Sequence, residues 1–116
     1  MTVAKIGGNI TGIIQRCTTE ENEIGESTKT WVNAHSHKGW LGLQSGDSKY
    51  TNFNAKLEES THVFTCDFHP GIYSLASQDT RMIIKGMVYD VLLIDNPDEM
   101  NEQLEIYLRK VGAWNG

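Results

Sequence analysis

The stretch from Gly86 to Leu108 constrains the fold most. It reads Gly-Met-Val-Tyr-Asp-Val-Leu-Leu-Ile-Asp-Asn-Pro-Asp-Glu-Met-Asn-Glu-Gln-Leu-Glu-Ile-Tyr-Leu. Residues 87–94 are branched and aromatic, a composition that favours an extended and mostly buried backbone. Asp95-Asn96-Pro97-Asp98 is a turn cluster, and its proline has no N–H to give a ladder. Leu104, Ile106 and Leu108 then alternate with Glu105 and Tyr107, the pattern of a half-buried strand. The spacing of Leu104, Leu108 and Val111 also allows a short helix. The stretch predicts the closing strand pair of a small β domain, and none of its residues forms a catalytic motif.

The rest of the chain adds short strands. Ile10 to Thr18 carries Ile10, Ile13, Ile14 and Cys17; the spacing fits a helix too, but Gly12 and the Thr/Ile content favour a strand. Glu20 to Ser27 reads as a solvated acidic hairpin loop. Lys29 to Leu43 predicts a long bent strand, with Gly39 and Gly42 as bends or bulges. His62 to Phe68 alternates as a strand and ends at His69-Pro70-Gly71; Ile72 to Thr80 reads as a connection. Arg81–Lys85 and Met87–Ile94 predict a hairpin whose tight turn needs positive φ at Gly86. About six such strands in one chain predict an all-β fold, a closed or nearly closed six- to seven-stranded barrel or sandwich. Residues 1–9 read as an N-terminal arm and 112–116 as a tail.

At 116 residues the chain suits one domain, and a 39% hydrophobic fraction supplies its core. The net charge of −5 argues against binding that relies on phosphate neutralisation. An acidic wall can nonetheless surround DNA without holding it. The longest apolar run, Val91 to Ile94, is far short of a membrane span, so no membrane partner is expected. The N-terminus has no signal-peptide core, which makes a reducing cytoplasm the expected compartment and Cys17 and Cys66 free, buried thiols, with neighbouring strands a possible placement.

His35-Ser36-His37 is the sharpest metal candidate, because residues two apart on a strand share a face. A third ligand would have to come from His62, His69 or a carboxylate, and no cysteine pair supports the site. A polar strand face is the favoured reading, so no metal, cofactor or catalytic residue is assigned. Asp95, Asp98 and Glu99 read as turn chemistry rather than an acid cluster. Trp31 and Trp40 read as core anchors. Trp114, on a polar tail, either packs back on the barrel or contacts a partner.

The segment from Gln44 to Glu59 is the least core-like. Long structureless loops in compact domains are uncommon and often functional, so it is the first candidate for function. Its sixteen residues can extend roughly 50 Å at about 3.3 Å each.

Four features resemble one family. Ile13-Ile14-Gln15-Arg16 resembles its opening strand. Glu23-Ile24-Gly25 through Thr30-Trp31 resembles its Glu-x-Gly…Thr-Trp pattern. Gly71-Ile72, Arg81 and Gly86-x-x-Tyr89-x-Val91 resemble its last hairpin. Asp95-Asn96-Pro97-Asp98-Glu99-Met100-Asn101 with Leu104-Glu105-Ile106-Tyr107-Leu108 resembles its final turn and strand. The family is that of the head-closure proteins, also called head–tail joining or stopper proteins, of long-tailed phages and prophages of Gram-positive bacteria. The resemblance spans Ile10 to Gly112.

The resemblance implies a non-enzymatic β-barrel that assembles with itself into a ring, usually of twelve copies, at the virion neck. It implies a portal adaptor above, tail terminator or tail proteins below and double-stranded DNA in the lumen, with assembly in the host cytoplasm. It also implies a loop after the second strand that closes the channel. By position that role falls on Gln44, Ser45, Gly46, Asp47, Ser48, Lys49, Tyr50, Thr51, Asn52, Phe53, Asn54, Ala55 and Lys56. Lys49 and Lys56 are the candidates for phosphate contact, and Trp114 for a partner contact. The rivals are a tail-completion connector that never blocks the channel, a small nucleic-acid-binding barrel, and a metalloenzyme built on His35 and His37. The nucleic-acid binder would need a basic, aromatic groove.

Overall fold

Alternation decides which face each strand buries, and closure decides where the strands go. The computed structural model describes residues 5–43, 60–75 and 79–115. Six antiparallel strands run as β1 (Ile10–Glu21), β2 (Ser27–Leu43), β3 (His62–Asp67), β4 (Thr80–Ile84), β5 (Met87–Asp95) and β6 (Gln103–Ala113). They hydrogen-bond in the order β1-β2-β3-β6-β5-β4, and β4 returns to pair with β1. This is the closed all-β barrel that the strand pattern predicts. Closure gives every strand two neighbours, although β2 meets β1 over Ser27–Gly39 and β3 only over Gly39–Leu43.

The inward residues are Ile14 of β1, Phe64 and Cys66 of β3, Met82 and Ile84 of β4, Tyr89 and Val91 of β5, and Leu104, Ile106 and Leu108 of β6. The strand β2 gives glycine where the others give large side chains. A Cβ on Gly39 would lie 2.5 Å from the Phe64 ring and 2.6 Å from the Thr65 carbonyl oxygen. Gly39 is therefore neither a bend nor a bulge; it makes room for a phenylalanine. Gly42 also sits in regular pairing, and the register shifts fall at Ile14/Gln15, Val88/Tyr89 and Val91/Leu93.

The turns follow their residues. Lys85 and Gly86 both have positive φ, 49° and 74°, as a type I′ hairpin turn requires. Pro97–Glu99 is a 3-10 turn, locked by the buried Asn96 side chain, which donates to Asn101 Oδ1 at 2.8 Å and accepts from Asn101 N at 3.1 Å. The residues after β3 are not only a connection. Pro70–Tyr73 forms one helical turn, N-capped by His69 Nδ1, which accepts from Gly71 N at 3.0 Å. Its Ile72 is fully buried and joins the core. The strand reading of the C-terminal segment holds over Gln103–Ala113, which excludes the helix alternative.

Three expectations need correction. Trp31 and Trp40 do not anchor the core; they are 36% and 47% exposed. Trp40 lies on the outside, where its indole N–H donates to the Ile6 carbonyl at 2.9 Å. Cys17 and Cys66 are free, but only Cys66 is buried, and β2 separates their strands. Burial, helped by Asp67, pushes the Cys66 thiol up to about 12. Residues 5–9 run along the barrel, with Ile6 N and Gly7 N donating to the Asp67 carboxylate at 2.8 and 3.1 Å.

Candidate functional site

The strands β1 and β2 outlast the barrel. β4 pairs with β1 only from Gly12 to Arg16, and β3 pairs with β2 only from Gly39 to Leu43. Beyond Arg16, Cys17–Glu21 pairs with Ser27–Trp31 alone, as a two-stranded ribbon. Every residue from 19 to 33 is exposed. Five residues of strand at about 3.3 Å each carry the ribbon roughly 15 Å past the ring.

The tip of the ribbon is ordered by its own sequence. The Asn22 side chain accepts from Ile24 N at 3.1 Å and Glu26 N at 2.8 Å, and Gly25 takes φ +83°. Asn22 N donates to Glu26 O at 2.9 Å and Gly25 N to Asn22 O at 3.0 Å. This turn holds Ile24 outward at 78% exposure between Glu23 and Glu26, with Glu20 and Glu21 behind.

At the base of the ribbon a polar row crosses the outside of the barrel. Asn33, Gln15, Arg81, Asp90 and Arg109 stand opposite one another on β2, β1, β4, β5 and β6. Gln15 Nε2 donates to Asn33 Oδ1 at 2.9 Å, and Arg81 Nε donates to Gln15 Oε1 at 2.7 Å. Arg109 pairs with Asp90 at 3.1 Å. The Arg81 guanidinium also lies 4.3 Å from the Trp31 ring centroid. Trp31, Arg81, Val88, Val111 and Trp114 line an open groove of about 550 Å³ there. The backbone N–H of Trp114 donates to the Gly86 carbonyl at 2.8 Å, which ties the tail back to the barrel, and the residue stays 40% exposed.

The other end of β2 carries the candidate channel segment. Gln44 to Lys56, including Lys49 and Lys56, lies outside the described residues. The residues on either side of it are placed: Leu43 pairs with His62, and Thr61 N donates to the Leu108 carbonyl at 2.8 Å. The segment thus leaves and re-enters the sheet side by side, at the end opposite the ribbon. His62 stacks edge-on against Tyr89 at 5.1 Å, and burial, then Lys110, lowers its pKa.

The fold brings His69 to His35 and His37, with ring centroids at 4.8 and 6.0 Å, and leaves His62 elsewhere. His37 Nε2 is engaged with the Asp67 carbonyl at 3.1 Å and His69 Nδ1 caps the helical turn. Burial first, then His69 and His37, holds His35 below its ordinary value. Among the described residues, no group of three His, Cys, Asp or Glu is placed to hold a metal. Asp95 and Asp98 belong to the β5–β6 turn region, where burial and then Glu105 raise the Asp95 carboxyl. Sequence reasoning missed Gln15 and Arg81. Alternation with the inward Ile14 and Met82 marks both as outward-facing, but nothing in the sequence sets them side by side.

Comparison with known proteins agrees with this architecture. The solution structure of protein SF1141 from Shigella flexneri 2a superposes with a TM-score of 0.70 at 18% identity, covering 95% of this chain and 96% of that one. A chain from the virion of a native gene transfer agent particle superposes at 0.58 with 14% identity, covering 90% and 96%. At these identities the likeness shows the fold alone. No curated protein matches the chain. The model of one protein family does, over residues 12–111. The class so defined is a structural component of a phage virion. Within it, the chain belongs to the phage head completion proteins.

Proposed function

We propose that this chain forms a ring at the head–tail junction that retains packaged DNA and offers the tail its docking surface. The observation that carries the reading is the adjacency of Leu43 and His62, which tethers both ends of residues 44–59 at one end of a rigid barrel. A ring of such barrels would concentrate the tethered segments near one axis, where segments of neighbouring copies can pair. The family match over residues 12–111 supports a virion role. The net charge of −5 suits a lumen through which DNA passes without sticking. The barrel is one domain, its neighbours are an adaptor above and tail proteins below, and it acts without catalysis.

Electron microscopy of filled heads made with and without the chain tests this. Heads lacking it are expected to package DNA, leak it and refuse tails. Heads that keep their DNA but stay tailless would make the chain a connector that never blocks the channel. Lys49→Glu combined with Lys56→Glu is expected to weaken retention; unchanged retention removes phosphate contact from the scheme.

A further inference from the structure

The ribbon tip and the outer groove are complementary. We infer that the Glu23-Ile24-Gly25-Glu26 tip of one copy docks in the Trp31–Trp114 groove of the next. The inference rests on the ring reading above and names the contact that builds the ring.

Three observations carry it. The first is apolar. Ile24 is 78% exposed at a hairpin tip, and the groove offers Trp31, Val88, Val111 and Trp114 with both tryptophans half-open. An exposed aliphatic held against two aromatic walls has the anatomy of an interface anchor. The second is electrostatic. Four carboxylates surround Ile24, while Arg81 is the one charged side chain among the groove's described lining residues. Its guanidinium is already held by Trp31 and Gln15, so a carboxylate meets it with little ordering left to do. The third is rigidity. The tip is bonded through Asn22 in the shape that presents Ile24, which lowers the entropic cost of docking.

The geometry sets the symmetry. The tip and the groove are different surfaces, separated along one molecule by the length of the ribbon. A tip cannot fold back into its own groove, because Trp31 sits at the ribbon's base, paired with Cys17. Each copy therefore gives a tip and receives one, a head-to-tail contact that closes into a ring when the rotation allows.

The test is disulfide trapping in filled heads that carry the full chain. Ile24→Cys and Asn115→Cys are placed together in a Cys17→Ser background, which removes the half-exposed native thiol; Asn115 lines the groove. Oxidation followed by non-reducing electrophoresis is expected to give a ladder of dimers, trimers and higher species. Adding Glu23→Lys and Glu26→Lys, both on the exposed tip, is expected to cut the ladder at least tenfold while circular dichroism stays unchanged. A dimer band alone, or a product containing a tail or adaptor protein, overturns the contact. A ring visible in micrographs without a ladder overturns the contact and leaves the ring. No ring at all removes both.

Discussion

The strands β1 and β2 each live in two environments, and the difference between their halves is the clearest lesson of the molecule. From Gly12 to Arg16, β1 is paired on both sides and contributes Ile14, 1% exposed, to the core. From Cys17 to Glu21 the same strand has one partner and no core beneath it. The inner half has two backbone ladders and the outer half one, but the outer half's free groups bond to water instead, so hydrogen bonding separates the halves little. Apolar burial separates them, and a two-stranded ribbon without it is marginal on its own. The ribbon persists because the barrel fixes its base and Asn22 fixes its tip. A segment held at both ends, with no core beneath it among the described residues, is a surface kept available.

Mutations break this comparison in order of size. Phe64→Ala empties the middle of the barrel and is expected to cost about 3–5 kcal/mol in denaturant unfolding. Gly39→Ala drives a methyl toward the Phe64 ring and the Thr65 carbonyl, for about 1–3 kcal/mol. Trp31→Ala, at the junction, removes the stacking partner of Arg81 and is expected to cost about 0.5–1 kcal/mol. Glu23→Lys on the tip is expected to stay within about 0.5 kcal/mol. If the tip variant destabilised as much as the barrel variants, the ribbon would be part of the core's cooperative unit.

Protonation sharpens the contrast near the ribbon's base, where His35 pairs with Ile14. His35 in the fold lies below its ordinary value of 6.5, chiefly because it is buried. The unfolded chain takes up that proton first, so the fold is expected to lose stability as pH falls below about 6.5. The loss ends once His35 protonates in the folded state. Thermal melts between pH 7.5 and 5 check this, and His35→Gln is expected to flatten the slope. A slope unchanged by the substitution would assign it to His62, also lowered by burial.

Much of this fold is legible in the sequence, and the reasons are local. Period-two alternation marks Leu104, Ile106 and Leu108, and Gly86 marks its turn. What the residues hide is long-range. Nothing near Ile14 announces that β4 lies beside it, because closure joins residues some seventy positions apart. The tryptophans mislead for a related reason: Trp31 lies on the ribbon, where no core exists to receive it. Gly39 misleads because its partner Phe64 is remote. Of the candidate site, Trp114 is visible as an aromatic on a polar tail. The groove it lines is assembled from residues that only the barrel's curvature brings together.

The polar row on the outer wall has a consequence for how the chain finds its register. A strand that slips by one residue turns its apolar side to water, and the core rejects it. A strand that slips by two keeps every face correct, and alternation alone cannot detect the error. Asn33, Gln15, Arg81, Asp90 and Arg109 stand at one level on five strands, so a two-residue slip of β4 would set Ile83 or Asp79 beside Gln15 in place of Arg81. The row works as a proofreading mark: it reports the kind of misalignment to which an all-β core is blind.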